Sequence, residues 1–96
     1  MKNINNILLT LNNLYEANDT YEPNHKKECE TVEAIQNMMK SDNEFTEEDT
    51  KVWKREIADY QELKKEDDSA ILTLIDNLIF YLTQPDEYSR VAAWRI

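Results

Sequence analysis

Apolar residues recur every three or four positions along most of this chain, the spacing that places them on one face of an α-helix. The first such segment covers residues 3–18. A turn containing Pro23 then leads into a second helix that continues to about Lys40. The residues of this second helix that we expect to face inward are Cys29, Val32, Ile35 and Met39.

The middle of the chain predicts two further helices. Thr46 followed three residues later by Asp49 is a variant of the capping box, so a third helix should begin here and run to about Lys65. Residues 70–83 are apolar around more than half of a helical circumference, which predicts a central fourth helix. The expected core residues of the third helix are Val52, Trp53, Ile57, Tyr60 and Leu63.

The C-terminal segment and the glycine count complete the predicted fold. Pro85 suits the first turn of a helix, so we expect a short fifth helix that includes Trp94. The chain contains no glycine, the residue that two-residue hairpins and phosphate-binding loops use to reach positive φ. We therefore predict an all-α fold, with residues 1–96 forming one small antiparallel helical bundle of four main helices plus a short C-terminal helix.

The charge of the chain narrows the classes of partner. Twenty acidic residues against eleven basic ones give a net charge of −9. Nucleic acids and anionic membranes both attract basic surfaces, so we expect direct binding to neither. The natural complement is a basic protein, such as a nucleic-acid-binding protein or a nuclease. The single cysteine and the absence of a long apolar run favour a cytoplasmic location.

Side chains for catalysis or metal binding are scarce. His25 and Cys29 are four residues apart and could share a helix face, but no glycine-lined pocket or second ligand pair accompanies them. The oxygen-rich run over residues 42–49 lacks the turn glycine of a calcium loop, and Trp53 replaces its closing glutamate. We expect no enzymatic activity, no cofactor and no metal site.

A carboxylate-rich surface is the strongest candidate for a binding site. Helical spacing places Glu48, Asp59, Glu62 and Glu66, which we call the acidic row, on one side of the third helix. Neighbours on a helix lie about 5–6 Å apart, comparable with phosphates along a DNA strand. A solvated, salt-bridged face is the competing interpretation, because basic residues interrupt the row. The full predicted interaction surface is Asp42, Glu44, Glu47, Glu48, Glu56, Asp59, Glu62, Glu66, Asp67 and Asp68.

A few residues depart from the helix pattern. Glu56 falls within the apolar arc of the third helix, where a carboxylate needs a cation, a hydrogen-bond partner or solvent. Phe80 lies on the polar side of the fourth helix; coverage by the fifth helix is the favoured interpretation, and an exposed anchor for another chain is the alternative. Trp94 packs either on the chain's own core or in a homodimer seam. Candidate apolar anchors or dimer contacts are Phe80, Tyr88 and Trp94.

These features lead us to expect a non-catalytic, acidic binding protein. The leading hypothesis is an inhibitor of a nucleic-acid-handling protein that acts by partial DNA mimicry, as small phage counter-defence proteins do. Ten asparagines indicate an AT-rich coding genome, which fits a phage origin. The alternatives are an immunity protein or antitoxin that neutralises a basic nuclease toxin, and a small dimeric structural or adaptor protein.

Overall fold

The computed structural model describes residues 4–20, 22, 24–41 and 46–83. Across these ranges the chain forms four α-helices and no strand, which confirms the all-α prediction. The helices are α1 (Ile4–Asn18), α2 (His25–Ser41), α3 (Glu47–Leu63) and α4 (Ala70–Leu82). The predicted fifth helix lies outside the described residues.

Helix α4 is the central element, as its apolar circumference predicts. It packs closely against both α1 and α3, and α1 also packs against α2. Six residues connect α1 to α2 and another six connect α3 to α4, so each of these pairs reverses direction. The buried residues that α4 contributes to the core are Ala70, Ile71, Leu74, Ile75, Leu78, Tyr81 and Leu82.

Side-chain caps define two of the helix starts. At α3 the predicted capping box is confirmed: the Asp49 N–H donates to Thr46 Oγ1 and the Thr46 N–H donates to Asp49 Oδ2, both at 3.1 Å. At α2 the Lys27 N–H donates to Asn24 Oδ1 at 3.0 Å. Both caps satisfy backbone donors that a helix start leaves without an intrahelical partner.

Two of the predicted core positions are wrong. Cys29 is exposed, whereas its neighbour Glu28 is buried. The other three predicted residues of α2 do face the core: Ile35 is fully buried, and Val32 and Met39 pack against the core. The buried face extends to Glu28 and Thr31, both of which have hydrogen-bond partners on other helices; Asn18 of α1 donates to Thr31 Oγ1 at 2.8 Å. Leu63 is 38% exposed, since it is the last residue of α3 and lies where the chain turns towards α4.

Candidate interaction surface

Asp49 joins the start of α3 to the middle of the bundle. Its side chain is fully buried, and Oδ2 accepts the Thr46 N–H of the capping box. Oδ1 accepts a hydrogen bond from the Tyr81 hydroxyl of α4 at 2.5 Å. Tyr81 is itself fully buried. One carboxylate therefore both caps a helix and accepts a hydrogen bond from a hydroxyl in the core. Without such a partner, burial of the hydroxyl would destabilise the fold.

A second buried carboxylate links α2 to α3. The Tyr60 hydroxyl donates to Glu28 Oε1 at 3.2 Å, and both residues are more than nine-tenths buried. Burial raises the pKa of Tyr60 to about 12, and the nearby charge of Glu28 and this hydrogen bond add to the effect. The phenol thus keeps its proton and remains a donor. On the outer side, His25 Nδ1 lies 3.4 Å from Glu28 Oε2.

Glu56 is the third buried carboxylate, and its partner comes from α4. The residue is 6% exposed, and Asn77 Nδ2 donates to its Oε2 at 3.1 Å. Burial raises the pKa of Glu56 above its ordinary value, and the negative charge of Asp59 raises it further. The hydrogen bond from Asn77 and the positive charge of Arg55 lower this pKa, but they do not cancel the effect of burial. Glu56 was expected on the interaction surface, but it is buried and its carboxylate contacts α4.

The raised pKa of Glu56 predicts a pH effect on stability. An acid whose pKa is higher in the folded than in the unfolded state binds its proton more tightly when folded. Its contribution to the free energy of unfolding therefore decreases as the pH rises from the ordinary value of 4.5 through the raised folded value. We expect Glu56→Gln, which cannot ionise but keeps an oxygen for Asn77, to gain stability relative to the native chain over this interval.

Urea unfolding between about pH 4 and pH 7 measures this difference directly. The matched control is Glu33→Gln, which removes the same formal charge from an exposed position of α2. A stability difference between native chain and Glu56→Gln that stays constant with pH, or changes no more than for the control, would contradict the assignment.

The acidic row of α3 is present on the surface. Asp59 and Glu62 are exposed, Glu48 is half-buried, and Glu66 is exposed in the turn that follows α3. With a rise of about 1.5 Å per residue, the part of the row within α3, from Glu48 to Glu62, extends over roughly 21 Å. Of the other predicted surface residues, Glu47 is exposed in the first turn of α3, whereas Asp42 and Glu44 lie outside the described residues.

Lysines neutralise part of this row. Lys65 Nζ lies 3.3 Å from Glu62 Oε2, and Lys51 Nζ lies 3.8 Å from Glu48 Oε1. The side chains of both pairs are between 42% and 78% exposed, so each ion pair contributes only about 0–1 kcal/mol. Because the ion pairs are weak, a binding partner can replace them at a small cost in free energy. The carboxylates of the row therefore remain available for binding, although the lysines keep this surface from being uniformly negative.

The turn after α3 adds two more carboxylates, of which Asp67 has a fixed orientation. Asp67 Oδ1 accepts the Ser69 N–H at 2.9 Å and the Ser69 hydroxyl at 2.7 Å. These hydrogen bonds hold the pKa of Asp67 below its ordinary value, so its charge persists at mildly acidic pH. The neighbouring Asp68 is exposed. The turn that follows Glu66 therefore contains an ionised and oriented carboxylate.

Phe80 is the one candidate anchor among the described residues, and the fifth helix that we expected to cover it lies outside them. Phe80 is 55% exposed on α4. Phe80 follows Asn77 by three residues and thus lies on the same side of its helix, and Asn77 contacts Glu56 of α3. The ring therefore lies at the boundary between α3 and α4. It is level with the first turns of α3, because the neighbouring Tyr81 contacts Asp49 there. The other two candidate anchors, Tyr88 and Trp94, lie outside the described residues.

The structure brings no catalytic or metal-binding constellation together in the part of the chain that it describes. His25 contacts Glu28 rather than activating Cys29, which is exposed. Among the described residues, no group of three or more histidine, cysteine or acidic side chains could hold a metal ion. None of the helices found there is long and apolar enough to span a bilayer.

The three buried acids are what sequence reasoning identified least well. Glu56 stood out from its apolar neighbours and Asp49 was assigned as a cap, but nothing in the sequence pattern indicated that Glu28 is buried. The hydrogen-bond donors to these three acids on other helices lie at least 21 residues away along the chain. The exposed carboxylates can attract a cationic surface, and the exposed ring of Phe80 can add an apolar contact.

No protein-family model, curated protein or solved structure matches this chain.

Proposed function

We propose that this chain is a non-catalytic binding protein that inhibits a nucleic-acid-handling protein by occupying its cationic groove. The observation that carries this proposal is that the acidic residues fall into two groups, one buried and one exposed. Glu28, Asp49 and Glu56 are buried and have partners inside the bundle, whereas Asp59, Glu62 and Glu66 are exposed and do not hold helices together. The exposed acids are therefore available to a partner.

The shape of the row supports competition with a nucleic acid. Within α3, Asp59 and Glu62 are three residues apart and therefore about 5–6 Å from each other, whereas Glu48 lies about 16 Å further along the helix. The carboxylates can thus meet lysines and arginines that normally contact phosphates. Asp67, oriented by Ser69 in the turn after α3, adds a further ionised carboxylate. Phe80 is exposed near the N-terminal end of α3, the end that carries Glu48, and can add an apolar contact there; aromatic residues of this kind carry much of the affinity in protein interfaces.

The test is affinity capture with the intact chain from a lysate of the organism that carries the gene, at increasing salt and with or without added duplex DNA. We expect one basic nucleic-acid-binding protein to be retained at low salt, to be lost as salt screens the charges, and to be released by DNA. The fraction retained at each salt concentration, measured by quantitative mass spectrometry, is the readout.

Each of the other results argues for a different function. A basic nuclease that stays bound in the presence of DNA indicates an immunity protein that binds beside the active site. Recovery of the chain itself, or of a partner whose binding does not depend on salt, indicates a dimeric or adaptor role. Either result would overturn competitive mimicry.

A further inference from the structure

A groove separates α2 from α3 on the side away from the acidic row. The two helices are joined near one end by the hydrogen bond between Tyr60 and Glu28. Towards the C-terminus of α2 they leave a cavity of about 510 Å³. We call this cavity the α2–α3 groove. Its apolar lining includes Met39 of α2 together with Ile57 and Ala58 of α3.

The charge of this groove is opposite to that of the whole chain. Its lining includes two lysines, Lys40 from the last turn of α2 and Lys54 from α3, and no carboxylate among the described residues. Both lysines are exposed. In a chain with a net charge of −9, two cations beside an apolar cavity form a local reversal of sign. Lysine stems can line apolar surface while their ammonium groups face water.

We propose that the α2–α3 groove binds a small amphiphilic anion, with an aliphatic body against Met39, Ile57 and Ala58 and a carboxylate or similar group between Lys40 and Lys54. The volume lies within the range of about 300–1,000 Å³ that is typical of small-molecule sites. The apolar lining stabilises the body, and the lysines select the sign of the head group. This site is independent of the acidic row and of the proposed inhibition.

Octanoate and octan-1-ol are suitable probes, because they share an eight-carbon tail and differ in the charge of the head group. The chain contains three methionines, Met1, Met38 and Met39, so isotope-labelled methionine methyl groups give a simple NMR spectrum. Both Met38 and Met39 pack against the core, but of the two only Met39 lines the groove, so Met38 serves as an internal reference. We expect the Met39 methyl signal to shift and saturate with octanoate at a concentration about threefold to tenfold lower than with octan-1-ol.

Two variants test the two halves of the site. Lys40→Gln with Lys54→Gln should remove the preference for octanoate, whereas Lys64→Gln with Lys65→Gln makes the same change of charge after α3 and should retain it. Ala58→Trp should fill the groove and abolish both titrations. Its control is Gln61→Trp, at another exposed position of α3. Circular dichroism checks that each variant keeps its helices.

Three outcomes would overturn the proposal. The first is an octan-1-ol affinity equal to or higher than that of octanoate, as repulsion by the acidic chain alone would produce. The second is a shift of Met38 without Met39, which places the ligand elsewhere. The third is a folded Ala58→Trp variant that binds octanoate as well as the native chain does.

Discussion

Replacing Asp49 with alanine will lower the free energy of unfolding by about 2–4 kcal/mol, the largest stability effect that we expect from any single acid of this chain. The substitution removes the capping box of α3, and loss of a cap costs about 1 kcal/mol. It also removes the carboxylate that accepts a hydrogen bond from the buried Tyr81 hydroxyl, and this loss costs about 1–3 kcal/mol. Urea denaturation followed by circular dichroism measures the loss.

The matched control for Asp49→Ala is Glu47→Ala. Glu47 is also in the first turn of α3 and interacts with the same helix dipole, but it is exposed. We expect this control to cost less than about 0.5 kcal/mol. Tyr81→Phe completes a double-mutant cycle, with a coupling energy to Asp49 of about 0.5–3 kcal/mol. Equal losses for Asp49→Ala and Glu47→Ala, or zero coupling to Tyr81, would show that the buried link does not stabilise the fold.

Reversing Asp59, Glu62 and Glu66 to lysine together will weaken binding to the captured partner by a factor on the order of one hundred, equivalent to about 2.7 kcal/mol. Each replaced carboxylate is exposed, so the loss should come from repulsion at the contact and not from unfolding. Six units of charge are added, which changes the net charge from −9 to −3. Isothermal titration calorimetry gives the affinity, and circular dichroism verifies the helices.

A second triple variant separates the acidic row from net charge. Reversal of Glu16, Glu30 and Glu33 also gives a net charge of −3, but it alters exposed positions of α1 and α2. We expect this control to lose less than about fivefold in affinity, chiefly through slower association. Equal losses in the two variants would mean that overall charge attracts the partner, and full affinity in the α3 variant would remove the row from the interface.

The sequence was informative where the deciding forces are local. Hydrophobic spacing identified the four helices, and the Thr46–Asp49 pair placed the start of α3 correctly because a capping box involves residues only three apart. The apolar circumference of α4 likewise identified its central place, since a helix that is apolar around more than half of its circumference must pack against more than one neighbour.

Long-range partners were beyond the reach of the same reasoning. Periodicity favoured Cys29 as an inward-facing residue of α2, but Glu28 occupies the interior because Tyr60, 32 residues further along the chain, supplies its hydrogen bond. A carboxylate can replace an apolar side chain in the core only when such a donor is present. The α2–α3 groove was missed for a related reason: a spacing pattern shows which face of a helix is apolar but not how far its neighbour stands away.

The buried acid pairs also define what a distant relative of this chain should share. Surface acids can exchange or drift without unfolding the bundle, so overall similarity can disappear quickly. A buried carboxylate and its donor can change only together, because loss of either one leaves a polar group without a partner in the core. A distant relative should therefore retain the sequence separations of these pairs. Two acids each lie 32 residues before their tyrosine, and one acid lies 21 residues before its asparagine. Such coupled positions mark common descent more durably than the charge that the surface displays.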